Sequence, residues 1–269
     1  MARPYQRKKT PGTRRSPTKD SNPDRIHGNP PSTLSSRTAD NSPTATSSTP
    51  YSLQVNQTPS RRFRPEEIYP EHFTLADIEA PNGDTVLLAC PGSTEKCPHC
   101  GRHEAHTGSI VIAVDGACRG NGQHGAQASV GVYHGYGNEW NESFVLPSEA
   151  TQTNQVAELV ACHRALLDAQ IKHACGEESG DEDEKINTVV IKSDSEYVVR
   201  GVTEWTEKWK TNGWLNVRGQ PVANGEYFRN IGRIVEALEA KQVVVWFWLV
   251  PRELNEDADQ LAKLALGQD

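Results

Sequence analysis

Three apolar, β-branched runs dominate this 269-residue chain: Ile110-Val111-Ile112-Ala113-Val114, Val189-Val190-Ile191-Lys192-Ser193, and Val243-Val244-Val245-Trp246-Phe247-Trp248-Leu249-Val250. The last is continuous over its whole length, the mark of a buried strand. Ala126 to Tyr133 and Asn138 to Leu146 flank a Gly135-Tyr136-Gly137 turn signal, which predicts an antiparallel meander after the first strand. Val156, Leu159, Val160, Leu166 and Leu167 give the following segment one apolar helical face. Residues 176–184, ending in Glu-Glu-Ser-Gly-Asp-Glu-Asp-Glu, read as an acidic solvated loop. The order strand, strand, strand, helix, strand, helices, strand, helix implies an α/β fold, a mixed sheet with helices on its faces.

Four carboxylates sit at four distinct places in this pattern. Asp115 ends the first run and is followed by Gly116, and Asp194 ends the second. Glu158 falls in the first turns of the helix that begins at Thr153-Asn154-Gln155, and Asp259 lies in the last helix. Each acid alone has an ordinary structural use. Asp115 can open a turn, Glu158 suits a helix's first turn, Asp194 can cap the helix after it, and Asp259 can pair with Lys263. Acids that converge from separate elements repel unless protons or cations stand between them. Carboxylate oxygen suits a hard divalent ion such as Mg²⁺.

The letters around the acids carry a resemblance. Asp115-Gly116-Ala117-Cys118 with Asn121-Gly122, then Thr153-Asn154-Gln155-Val156-Ala157-Glu158, Ser193-Asp194-Ser195 and Ala258-Asp259-Gln260-Leu261-Ala262 together resemble type 1 ribonuclease H. The motifs follow that family's order over residues 109–267, at intervals of 43, 36 and 65 residues. The block Trp205-Thr206-Glu207-Lys208-Trp209-Lys210-Thr211-Asn212-Gly213-Trp214 adds a fifth match, typical of cellular, fungal-like members.

The resemblance implies a five-stranded mixed sheet and an endoribonuclease that cuts the RNA strand of RNA–DNA hybrids. Two Mg²⁺ ions, with Mn²⁺ as substitute, would be held by Asp115, Glu158, Asp194 and Asp259, with Asp115 bridging both. Products would carry 5′-phosphate and 3′-hydroxyl ends. Gly116, Asn121, Asn154 and Gln155 match positions that contact the hybrid, where amides both donate to and accept from the 2′-hydroxyl side. Trp205 and Trp209, interleaved with Lys208 and Lys210, resemble the family's basic protrusion and DNA-strand channel, where stacking and phosphate neutralisation track a backbone. Thr153 and Asn224 match positions for a DNA-strand phosphate. Core packing is the competing use of the tryptophans.

The chain departs from the pattern in three places. Pro251-Arg252-Glu253-Leu254 is a short connection of archaeal and plant-like type, where many relatives carry a helper histidine, and no histidine follows His173. An arginine that relatives place before Thr-Asn-Gln is missing, and no N-terminal hybrid-binding module is visible. The alternatives are a catalytically weak or inactive module of the same fold that binds nucleic acid or protein, and transposase-type chemistry. The latter lacks the tryptophan–lysine block. Four retained acids favour the enzyme, because a binding module gains nothing from packed like charges.

The formal charge of −7 divides unevenly: residues 1–65 hold 12 Lys and Arg against 3 Asp, the remainder 16 against 32 acids. The first segment is rich in Pro, Ser and Thr without apolar periodicity, and reads as a disordered basic tail that holds nucleic acid loosely, serves as a nuclear address or solubilises. Its prolines and Asp20 and Asp24 spoil a mitochondrial presequence. No run approaches the length of a membrane span. A soluble, monomeric, intracellular protein of nucleus or cytoplasm is expected. Residues 66–108 form a Cys/His-rich segment in which Cys90, Cys97, Cys100, His103 and His106 offer ligands for a structural Zn²⁺. Free reduced thiols or an opportunistic disulfide are the alternatives.

Overall fold

The computed structural model describes residues 60–180 and 185–267. Most of the basic segment, residues 1–59, and the acidic stretch 181–184 lie outside the described residues. In chain order the elements are α1 (Pro65–Ile68), β1 (Glu79–Asn82), β2 (Thr85–Ala89), β3 (Ala105–His106), β4 (Ser109–Arg119), β5 (Gln127–Tyr133), β6 (Glu142–Val145), α2 (Asn154–Ser179), β7 (Thr188–Ser193), α3 (Glu196–Arg200), a π-turn (Gly201–Trp205), α4 (Thr206–Thr211), α5 (Gly225–Glu239), β8 (Val244–Leu249) and α6 (Glu256–Ala265).

The main sheet runs β6-β5-β4-β7-β8. β4 pairs antiparallel with β5 and parallel with β7, and β7 pairs parallel with β8. This is the mixed sheet the element order predicted and the five-stranded form the resemblance implied, with β4 at its centre. Alternation divides each apolar run between two covered faces. Ile110, Ile112, Val114, Val189, Ile191, Val245 and Phe247 meet α2 and α5 residues such as Leu159, Leu166, Ile231 and Leu238. Val111, Val190, Trp246, Trp248 and Val250 face the other way.

That second face has two covers. α6 lies over β5, close enough that a Cβ on Gly131 would stand 2.2 Å from the carbonyl oxygen of Ala258. The other cover is the N-terminal segment, in which β1, β2 and β3 form an antiparallel sheet. Its Tyr69, Ile78, Ala80, Val86, Leu88 and Ala89 close over Trp246 and Trp248. Lys192, almost wholly buried on β7, reaches Glu79 Oε1 at 2.6 Å and ties the two sheets.

Two boundaries differ from expectation. Residues 60–65, grouped with the tail on charge, belong to the fold: Phe63 N donates to Phe247 O at 2.9 Å and Phe247 N to Arg61 O at 2.8 Å, adding an edge to β8. Charge misled because Arg61 is matched within the fold, its guanidinium held by Glu239 at 2.8 Å. α2 also runs three residues past Gly176, to Ser179, before Gly180 ends it in the left-handed region at φ 69°.

Candidate active site

Local chemistry sets where each acid stands. The β4–β7 register pairs Ala113 with Lys192, so Asp115 and Asp194 both lie two residues beyond this parallel pairing. Asp194 follows the end of β7, whereas Asp115, expected to end its strand or open a turn, stands inside β4, which continues to Arg119 because β5 goes on pairing with it. α2 starts at that end because Thr153 caps it, its hydroxyl accepting from Val156 N at 3.3 Å. Gly116 lets the helix come in: its missing Cβ would stand 2.2 Å from Glu158 N. α6 crosses β4 and β5 and carries the buried Asp259 in its first turn. Acids from β4, the turn after β7, α2 and α6 are therefore near enough to act on one another.

The charges are mutually felt. Burial pushes the Asp115 carboxyl up to about 8, and Asp194, Glu158 and Asp259 add to the rise. Glu158 is pushed up to about 7 by burial, which outweighs a hydrogen bond from Ser195 that acts the other way. Burial also acts to raise Asp259, but hydrogen bonds from Lys263 and Arg252 win and leave it below the ordinary carboxylate value.

Three of the acids have turned to neighbouring donors. Glu158 takes Asn154 Nδ2 at 2.6 Å and the Ser195 hydroxyl. Asp194 takes Asn255 Nδ2 at 2.9 Å, and the same amide reaches Val114 O at 3.0 Å. Asp259 takes Arg252 Nη2 at 2.7 Å and Lys263 Nζ at 2.5 Å. Among the described residues no three His, Cys, Asp or Glu side chains stand close enough to grip one ion as placed. The donor set nevertheless fits a hard divalent ion in kind: four carboxylates, three of whose charges act on the fourth, Asp115.

Sequence reasoning missed Ser195, Asn255 and Arg252. Ser195, not Asp194, caps α3, accepting from Val198 N at 3.3 Å. Asn255 is signalled only by being an amide just before a helix, and its buried Oδ1 has no partner among the described residues.

Around the acids, Asn121 Oδ1 accepts from Asn154 N at 3.3 Å, joining two of the anticipated contact residues, while Gln155 is exposed. Further along the same side, Trp205 and Trp209 lie 5.9 Å apart. Trp209 packs edge-on against Phe228 at 5.2 Å, so it serves the core as well. Asn224, in the left-handed region at φ 57°, donates to the Tyr197 hydroxyl at 3.2 Å, and Tyr197 stands 5.9 Å from Trp205. The Cys/His set is separate, on and around the β2–β3 loop, with His106 on β3 itself.

A model of the RNase H family matches residues 107–266, which span every element of this site. The chain belongs to the RNase H family. Ribonuclease H1 of Mus musculus is 31% identical over 158 residues, covering 58% of this chain and 49% of that one. Ribonuclease H of Pseudomonas paraeruginosa is 33% identical over 163 residues, covering 59% of this chain and 94% of the relative. The chain thus spans about half the length of the mammalian ribonucleases H1 it matches. Among solved structures, LC11-RNase H1 isolated from compost is 27% identical over 58% of this chain and 94% of that one, with a TM-score of 0.40. Its complex with RNA/DNA hybrid is 28% identical over 58% and 96%, with a TM-score of 0.38. Within the matched residues, Asp115 stands on β4, Glu158 on α2, Asp194 just after β7 and Asp259 on α6.

Proposed function

We propose that the protein hydrolyses the RNA strand of RNA–DNA hybrids, leaving 5′-phosphate and 3′-hydroxyl ends. The observation that carries this reading is the placement of Asp115 on β4 with the start of α2, which bears Glu158, packed directly against Gly116, inside the residues that the RNase H family model matches. Asp115, Glu158 and Asp194 would hold one Mg²⁺, and Asp115 with Asp259 a second, with Mn²⁺ as substitute. Bound divalent ions supply the acidity that readies a water and stabilises the departing 3′-oxygen. The chain's own residues orient the parts. Asn154 and Ser195 fix the two oxygens of Glu158, and Asn255 fixes Asp194.

Hybrid recognition follows from the groups around the rim. Asn121, Asn154 and Gln155 offer both donors and acceptors to a minor groove bearing 2′-hydroxyls. Thr153, Asn224, Trp205 and Trp209 would follow the DNA strand through phosphate contact and stacking. A second reading, a module that binds hybrids without cutting them, draws on Asp259, whose carboxylate two cations already hold.

One assay separates the two. With Mg²⁺ the protein is expected to cleave a labelled RNA–DNA hybrid and spare duplex DNA, and Asp115→Asn to abolish cutting while keeping hybrid binding. Binding without cleavage in Mg²⁺ or Mn²⁺ selects the second reading. Full activity in Asp115→Asn refutes the site.

A further inference from the structure

The β2–β3 connection carries a tight cysteine turn. Cys97-Pro98-His99-Cys100-Gly101 forms a tight knuckle, closed by Gly101 N to Cys97 O at 2.7 Å and Cys97 N to Arg102 O at 2.8 Å. Gly101 sits at φ 68°, where a side chain is disfavoured. The backbone N–H groups of His99 and Cys100 and the Cys100 thiol hold the Cys97 thiol below its ordinary pKa. At the base of the loop Cys90 N donates to Glu104 O at 2.7 Å, and Ser93 N to Cys90 O at 2.9 Å.

Ser93, Cys97, Cys100 and His103 line one open cleft of about 580 Å³. Gly92 lines it too, and a Cβ there would stand 3.8 Å from Cys90 Sγ, which brings the third sulfur to the cleft's edge. His103 supplies an independent observation. Its side chain is only 7% exposed and stacks on Phe73 with ring centres 4.0 Å apart. Nδ1 is engaged with Ser93 Oγ at 3.2 Å, whereas Nε2 is buried with no partner among the described residues. A buried ring nitrogen of this kind usually has a partner. All the cysteines are free, so no disulfide competes for the sulfurs.

We propose that the 90–104 loop binds one Zn²⁺ through Cys90, Cys97, Cys100 and His103, separately from the carboxylate rim. Three thiolates and one imidazole form an ordinary tetrahedral set for this ion. Binding releases one proton from each thiol to solvent and takes His103 as the neutral donor. His106 is left out because it belongs to β3, opposite Leu88. Among the described residues these donors do not surround one point, so binding requires the exposed knuckle to approach His103. The closed loop would brace the small sheet that covers Trp246 and Trp248 and leads through β3 into β4.

The test uses the full chain, purified reduced, with metal measured by mass spectrometry. One equivalent of zinc per chain is expected, lost on treatment with a strong chelator and regained with added Zn²⁺. Regain should be accompanied by a rise in thermal midpoint. Co²⁺ in its place should give the intense visible bands of a tetrahedral site and a thiolate charge-transfer band. Cys97→Ser and Cys100→Ser, both at exposed positions, should fold like the metal-free protein and lose the equivalent. Cys175→Ser and Asp115→Asn should keep it. Failure to take up an equivalent, or uptake that survives both knuckle substitutions, overturns the proposal and marks any zinc as adventitious.

Discussion

Gly116 and Glu158 meet so closely that a Cβ on the glycine would stand 2.2 Å from the glutamate's backbone nitrogen. The obstacle is backbone at the start of α2, so it cannot swing away as a side-chain tip would. Gly116→Ala must therefore push α2 off β4 and carry Glu158 away from Asp115. Overpacking of this kind costs about 1–3 kcal/mol. The expected result is a lower urea midpoint together with a loss of hybrid cleavage larger than the stability change explains. Wild-type cleavage by Gly116→Ala would show that the approach does not position the acid.

The raised carboxyls make a pH prediction with a definite sign. Asp115 titrates near 3.8 unfolded and at about 8 folded, and Glu158 moves from 4.5 to about 7. Between those values the folded state holds more protons than the unfolded one, so stability falls as pH rises. With chelator present, urea unfolding should show a steady loss from about pH 4 to about pH 8. Asp115→Asn removes the largest contributor. It should be more stable than the parent at pH 8 by on the order of a few kcal/mol, and nearly equal at pH 4. Equal stability at both pH values would remove the claim that the acids burden one another.

Much of this arrangement is legible in the sequence because buried strands announce themselves. The run before Asp194 gives a strand and its end, the run before Asp115 gives a strand but not its continuation to Arg119, and the apolar stripe through Leu159 and Leu166 gives the helix that bears Glu158. What covers the second face is not legible. Trp246 and Trp248 alternate with Val245 and Phe247, so the run records two buried faces without naming the partner of either. The partner comes from residues 63–106, whose strands are short and whose cysteines and histidines draw attention to metal rather than to packing. The hydrogen-bond holders of the acids were hidden for another reason. Ser195 and Asn255 are common cap residues, and only the fold brings them to Glu158 and Asp194.

Arg252 gives a test of how the fourth acid is used. Its guanidinium holds Asp259 at 2.7 Å from the short connection between β8 and α6, and its side chain is 68% exposed. Such a pair contributes under about 1 kcal/mol to stability. A divalent ion at Asp259 must compete with this cation and with Lys263. Arg252→Ala should leave the thermal midpoint almost unchanged and lower the Mg²⁺ concentration needed for half-maximal cleavage. A Mg²⁺ titration that superimposes on the parent's would show that the guanidinium does not compete for Asp259.

Phe63 decides whether the N-terminal segment is part of the domain. It is 2% exposed, with ring centres 5.3 Å from both Trp246 and Trp248 and 6.4 Å from Tyr69. Its backbone extends the sheet beside β8 through Phe247. Removing a buried aromatic ring costs about 3–5 kcal/mol when the surroundings cannot collapse into the space. Here they cannot readily do so, because the tryptophans belong to a central sheet and Tyr69 is pinned through its hydroxyl to Ala89 O at 2.8 Å. Phe63→Ala should thus lower the urea midpoint of the whole domain in one cooperative transition. It should also raise the tryptophan fluorescence response to quencher. A separate early transition would make residues 60–106 an appendage, whereas a single shifted one makes them the second wall of the catalytic sheet.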